Sequence, residues 1–167
     1  IVTYADLIYT KDLIRKLIES PHTVAVCVDP DWKNYWYHRY GQVETDLETL
    51  SINNGIITEL GAQSSSSKEI HYRYVGVIKF SIEIISKIIT IYRKKKKLDE
   101  YWVKSGNNFL NGYMTDLLYE MIINGISVNS VMADKQWLEI DTPTDYENLL
   151  RDYNTGKIGE YFSGDIG

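Results

Sequence analysis

The sequence is poor in the features that mark secreted, membrane-bound or nucleic-acid-binding chains. It holds one cysteine, Cys27, so no disulfide can close within it. The thiol lies in the apolar run Val24-Ala25-Val26-Cys27-Val28, where it reads as a buried small hydrophobe rather than a reactive group. No apolar run approaches the ~20 residues that a membrane span requires, and no charged-then-apolar leader opens the chain. A reducing cytoplasm, with no membrane partner, fits best. Positive charge is not in excess either: 18 Lys and Arg stand against 23 Asp and Glu, a net charge of −5, which argues against nucleic acid as a partner. There is no internal repeat. What remains is one domain's worth of chain, 167 residues. A chain of this size buries about 68–70% of its unfolded surface and forms a core without staples.

Periodicity outlines an α/β fold. Residues 1–9 read as a strand, and Ile1-Val2-Thr3-Tyr4-Ala5-Asp6 looks like the middle of one, as in the back part of a larger unit. Leu13, Ile14, Leu17 and Ile18 share a helical face over 11–20, with Thr10 as N-cap and Pro21 as stop. The β-branched run 22–28 ends in Asp29-Pro30-Asp31. A βαβ unit with parallel strands is therefore predicted, its functional carboxyl ends at Asp6 and Asp29. Residues 47–52 and 56–60, joined by Asn53-Asn54-Gly55, predict a β-hairpin arm. The serines at 64–67 predict a flexible loop, and 70–80 a long strand interrupted by Gly76. A helix follows from Ser81 to about Tyr92, and Arg93-Lys94-Lys95-Lys96-Lys97 reads as its solvated basic end. A second apolar-striped helix spans 113–124, strands cover 127–133 and 137–140, and Thr142-Pro143 opens a last helix with Asp145 and Glu147 in its first turn. Residues 157–167 are expected to be mobile or to pack on a partner. The predicted architecture is an open, mixed, mostly parallel sheet with flanking helices and the hairpin arm.

Two aspartates stand where chemistry would be done. Asp6 ends the first strand and Asp141 follows Trp137-Leu138-Glu139-Ile140 just before a helix N-cap. In an open α/β sheet both would face one crevice, where two carboxylates can hold Mg²⁺, a hard ion that keeps water and substrate phosphates in its shell. Such a pair suits phosphoryl or nucleotidyl transfer. Read alone, an Asp at a strand end is as well a helix cap or turn former.

The stretches TYADLIYTKDLIRKLIESPHTVAVCVDPDWKNYWYHRY, RYVGVIKFS, YMTDLLYEMIINGISVNSV and WLEIDTPTDYE occur in an order and spacing that resemble nucleotidyltransferases of the phosphocholine and phosphonate cytidylyltransferase type. The similarity covers residues 2 to 150, and WLEIDTPTDYE looks like that family's closing motif. The resemblance implies a truncated Rossmann-like nucleotidyltransferase fold and makes Asp6 and Asp141 the metal pair. The implied reaction is attack by a phosphate or phosphonate oxygen of a small acceptor on the α-phosphorus of CTP, with pyrophosphate leaving. Arg39 and Lys79 are candidates for phosphate or acceptor contact, with exposed ion pairs as the alternative. Glu48 matches a family position near the acceptor, and Glu139 is a candidate for the acceptor or the metal's water shell.

Trp32, Tyr35, Trp36, Tyr37 and Tyr40 crowd one short segment, and Tyr72 and Tyr74 share a strand face. Trp and Tyr faces hold quaternary ammonium groups, so Trp32, Trp36 and Tyr74 are candidates for a choline-bearing acceptor; the core or a dimer contact is the other use of such rings. The chain departs from the family in three places. The glycine-rich loop and basic residue that wrap the nucleotide triphosphate are not in it, Thr49 stands where many sugar-nucleotide relatives have lysine, and His71-Tyr72 precedes the Tyr-x-Gly strand. The expectation is one partial domain, inactive alone and prone to self-association. A hexose-1-phosphate nucleotidyltransferase and a non-catalytic aromatic-rich binding module are the rival readings.

Overall fold

The computed structural model describes residues 1–164. Its central strand, β3 (Val24–Asp29), is buried at every position. Successive side chains of a strand point to opposite faces, and here each face has its own apolar layer. Ala25 and Cys27 join Leu13, Leu17, Trp36 and Trp137 on one side. Val24, Val26 and Val28 join Ile84, Leu118 and Met121 on the other. The first layer comes from α1 (Lys11–Glu19) and α2 (Trp32–Tyr40), the second from α3 (Ile82–Leu98) and α4 (Met114–Ile123). Among the described residues no helix is long and apolar enough to cross a membrane.

The remaining strands are β1 (Val2–Thr3), β2 (Leu7–Tyr9), β4 (Glu48–Asn53), β5 (Ile56–Gln63), β6 (Arg73–Phe80), β7 (Asn129–Met132) and β8 (Trp137–Glu139), and α5 spans Pro143–Thr155. Six strands form one sheet in the order β1-β6-β3-β7-β5-β4, and β2 pairs with β8 separately. The fold is the expected mixed α/β, but its parallel character is partial. Among the described residues β3 and β7 are the one parallel pair; β1–β6, β3–β6, β4–β5, β5–β7 and β2–β8 are antiparallel.

The two strands of the predicted βαβ unit do run parallel, since β1 and β3 are both antiparallel to β6, but they are not neighbours. β6 lies between β1 and β3, with Val24 opposite Phe80 and Val2 opposite Ile78. The first strand also breaks at Tyr4–Asp6, and its second half leaves the main sheet for β8, with Leu7 opposite Glu139. Apolar periodicity says which face of a strand is buried; it carries no information about which strand lies alongside.

Other expectations shift in detail. The hairpin forms where Asn54 (φ 49°) and Gly55 (φ 79°) supply the two left-handed residues of a tight turn, and Ile56 ties it to β7 opposite Asn129. Ser67 of the serine run is buried and bonded to Glu44. α3 continues through the basic run to Leu98, and Lys95 is buried against Glu120 instead of solvated. Tyr161 and Phe162 pack into the chain's own core, while Ser163 donates to the Lys135 carbonyl at 2.8 Å. Of the tail expected to be mobile, residues 165–167 lie outside the described residues.

Candidate functional site

The break after β1 turns Asp6 toward the end of β8, where the Ile140 amide donates to the Asp6 carbonyl at 2.9 Å. From β8 the chain runs directly into α5, whose start is fixed by a capping box. Thr142 Oγ1 accepts from the Asp145 amide at 3.2 Å, and Asp145 Oδ2 accepts from the Thr142 amide at 2.8 Å. Pro143 sits at the first helical position, where its missing N–H costs nothing. Glu139, Asp141 and Asp145 are thereby gathered at one corner, and Asp6 is brought to meet them.

Arg39, from the last turn of α2, fills the centre of that corner with a side chain only 3% exposed. Its Nε and Nη2 donate to the two oxygens of Asp145 at 2.7 and 2.9 Å, a bidentate pair. Nη1 reaches Glu139 Oε2 at 2.5 Å and Nη2 reaches Asp141 Oδ2 at 2.7 Å. Burial works against charge on Asp145, yet the Arg39 and Thr142 hydrogen bonds outweigh it and hold the carboxyl down to about 2. Burial raises the pKa of Glu139 and the Arg39 charge opposes that rise. Tyr35 ties β8 to α2 by donating to the Glu139 carbonyl at 3.2 Å and accepting from the Glu139 amide at 2.9 Å.

Asp6, Glu139 and Asp141 each place a carboxylate oxygen within 4.8 Å of the others. Three such oxygens suit a hard divalent cation that completes its shell with water and phosphate. Three carboxylates contact the guanidinium and Asp6 stands beside two of them, so acidic groups outnumber the cation at this corner. The donor set therefore fits Mg²⁺ in both chemistry and charge.

The structure assembles Asp6, Asp141, Glu139 and Arg39, and assigns some of them different work. Arg39 is spent on carboxylates and is not free for a phosphate. Lys79 is not at the site; its ammonium bonds the carbonyls of Ile18 and Ser20 at the end of α1. Trp32 and Trp36 are core residues, 1% and 0% exposed. Trp36 packs edge-to-face on Tyr35 and Trp32, and its Nε1 donates to the Thr45 carbonyl at 2.8 Å. Neither ring offers a face to a choline group. Tyr74 is half-buried under Tyr4, their hydroxyls 3.3 Å apart. Glu48 lines a cavity of about 600 Å³ at the start of β4.

Sequence reasoning missed the part played by Asp145, which it read only as a carboxylate complementing the helix dipole. Its spacing from Thr142 signals the capping box, but the bond to Arg39 spans 106 positions and leaves no local trace.

No protein-family model matches the chain. Over 147 residues it is 36% identical to the CTP:phosphoglutamine cytidylyltransferase of Campylobacter jejuni, covering 88% of this chain and 57% of that protein. The inositol-1-phosphate CTP transferase of T. maritima superposes with a TM-score of 0.55 at 14% identity, covering 96% of this chain and 56% of that one. The second likeness shows a shared fold. The chain thus spans little more than half the length of either protein. Both are cytidylyltransferases by name, as the closing motif suggested.

Proposed function

We propose that this chain, a relative of the cytidylyltransferases by sequence and by fold, supplies the metal- and acceptor-binding residues for transfer of a cytidylyl group from CTP to a small phosphorylated or phosphonate acceptor. The observation that carries this reading is the convergence of Asp6, Glu139 and Asp141 around a space that three carboxylate oxygens can share. Those residues would hold Mg²⁺, which offsets charge on the triphosphate oxygens when bound. The acceptor oxygen attacks the α-phosphorus in line, its bond to phosphorus forming as the bond to the pyrophosphate oxygen breaks, and the bridging electrons depart with pyrophosphate. Arg39, itself held by Asp145, keeps Glu139 and Asp141 aimed in the absence of substrate, so little reorganisation is left for the reaction. The relative's name supplies phosphoglutamine as one acceptor of this general class. A cytoplasmic setting belongs to the same reading, since Cys27 is free and buried.

The test uses the full-length protein with CTP, Mg²⁺ and a panel of phosphorylated acceptors, following pyrophosphate release and the CDP-linked product. The Asp141→Asn variant is expected to lose turnover and to bind Mg²⁺ at least tenfold more weakly by calorimetry. Undiminished Mg²⁺ binding in that variant would remove the metal role and favour a non-catalytic module. Turnover confined to hexose 1-phosphates would point to the sugar-nucleotide branch.

A further inference from the structure

β8 has one neighbouring strand among the described residues, β2. On that side the Gln136 carbonyl accepts from the Thr10 amide at 3.0 Å, and the Ile140 amide donates to the Asp6 carbonyl at 2.9 Å. Backbone groups of successive residues in an antiparallel strand face alternate edges. Those of 136 and 140 face β2, so those of Glu139 face the other edge, where no described strand pairs. Both groups are nevertheless satisfied, because the Tyr35 hydroxyl donates to the Glu139 carbonyl and accepts from the Glu139 amide. One phenol thus fixes the peptide groups on both sides of a single Cα, and stands in for the missing strand.

The other two carboxylates of the corner are placed by other means. Asp6 is carried by the ladder bond from Ile140, and the Asp141 amide donates to Asp145 Oδ2 at 3.1 Å within the cap of α5. Glu139 alone owes its main-chain position to a side chain from a distant element.

That side chain is itself immobilised. Tyr35 is 4% exposed. Its ring stacks on Tyr161 at 5.5 Å and meets Trp137 and Trp36 edge-on at 5.3 and 5.8 Å, contacts that leave a buried ring little freedom. Arg39 lies four residues further along α2, on the same helical face, and bonds the Glu139 carboxylate. One helix therefore grips Glu139 twice, its main chain through Tyr35 and its side chain through Arg39. A core hydroxyl in need of a partner would be satisfied by one bond; two bonds to one residue set where that residue stands.

We propose that Tyr35 is a positioning residue, whose hydroxyl sets the place of the Glu139 carboxylate in the cation site formed with Asp6 and Asp141. The assignment rests on the metal role given to that corner above. Mg²⁺ demands near-ideal octahedral geometry at short distances, whereas Ca²⁺ accepts longer and more variable ones. Loosening the main chain of one ligand therefore weakens Mg²⁺ more than Ca²⁺, and Tyr35 contributes to the preference for the smaller ion.

Tyr35→Phe deletes the two bonds and keeps the ring contacts. Tyr161→Phe serves as its control, since it deletes a bond from a neighbouring buried phenol to Asp152 at 3.0 Å and keeps the stack on Tyr35. Both variants lose buried hydrogen bonds, and both are expected to lower the urea midpoint. By calorimetry on the full-length protein, Tyr35→Phe is expected to bind Mg²⁺ about tenfold more weakly than the parent, as when the partner of a metal ligand is removed. Its Ca²⁺ affinity is expected to stay within about threefold of the parent's, and Tyr161→Phe to match the parent with both ions. Unchanged Mg²⁺ affinity in Tyr35→Phe, an equal loss for the two ions, or the same loss in Tyr161→Phe would overturn the assignment and leave the metal corner standing. A parent that binds neither ion would overturn the metal role itself, and the place of Tyr35 in it.

Discussion

Arg39 in α2 and Lys95 in α3 are both cations taken out of water, and both meet carboxylates there. Around Lys95 the buried account closes one to one: Glu120, itself 8% exposed at its side chain, bonds it directly, the Trp102 ring lies 5.4 Å off, and the second carboxylate, Glu100, is half exposed at 3.9 Å. Around Arg39 it does not close, because Glu139, Asp141 and Asp145 contact it and Asp6 faces the same space. Burial of an ion pair is therefore no sign of function by itself. An excess of one sign, held in place by bonds that a neutral cluster would not need, is such a sign.

The harshest way to break the contrast is to remove the cation from each cluster. Arg39→Ala leaves Glu139 and Asp145 with no counter-charge, and removing one partner of a buried pair costs about 3–5 kcal/mol. The expected result is the loss of most of the stability in urea unfolding. Mg²⁺ should restore part of it, because a divalent ion can stand in for the missing guanidinium charge. Lys95→Met should cost a similar amount, and Mg²⁺ should restore none of it.

Next in size is the loss of metal affinity without loss of fold. Asp6→Asn removes one oxygen charge from the exposed side of the corner and leaves the Arg39 bonds intact. A Mg²⁺ affinity lower by about tenfold to a hundredfold is expected from calorimetry, the range seen when metal-site partners are removed, with a urea midpoint close to that of the parent.

The distinction between the two clusters was only half legible in the sequence. Local chemistry was readable: Asn53-Asn54-Gly55 gave its hairpin and Thr142-Pro143 opened α5, while Asp6 and Asp141 came together through the antiparallel pairing of β2 with β8 and not at the carboxyl ends of parallel strands. What could not be read was any bond made across the chain. Arg39 reaches partners 100 to 106 positions away, and Lys95 reaches Glu120 across 25. The aromatic crowd at 32–40 carried no helical stripe because α2 is buried on several sides, with Trp32, Tyr35, Trp36 and Arg39 all covered. For the same reason, rings that suggested a ligand cage were serving the core.

A smaller effect should appear on acidification. The Asp145 carboxyl is held to about 2 in the folded state, against ~3.9 for an unfolded aspartate. Its stabilising contribution is thus fully present above about pH 4 and is lost as pH falls toward 2. Asp145→Asn should flatten that part of a urea-midpoint profile, and an unchanged slope would mean that Arg39 is held without it.

The smallest expected change sharpens the contrast most. Replacing both members of a balanced buried pair by apolar side chains of similar volume is often neutral or stabilising. Lys95→Met together with Glu120→Met should therefore alter the urea midpoint by no more than about 1 kcal/mol equivalent, although Lys95→Met alone is costly. Trp102 nearby would receive the new methionines as ordinary packing. No equivalent exchange exists at the other cluster, since one apolar replacement for Arg39 would need three for the carboxylates it contacts and would delete two ligands of the proposed cation site with them. A double variant that unfolds would show that the Lys95 pair does more than balance charge, and the line drawn between strut and site would have to be moved.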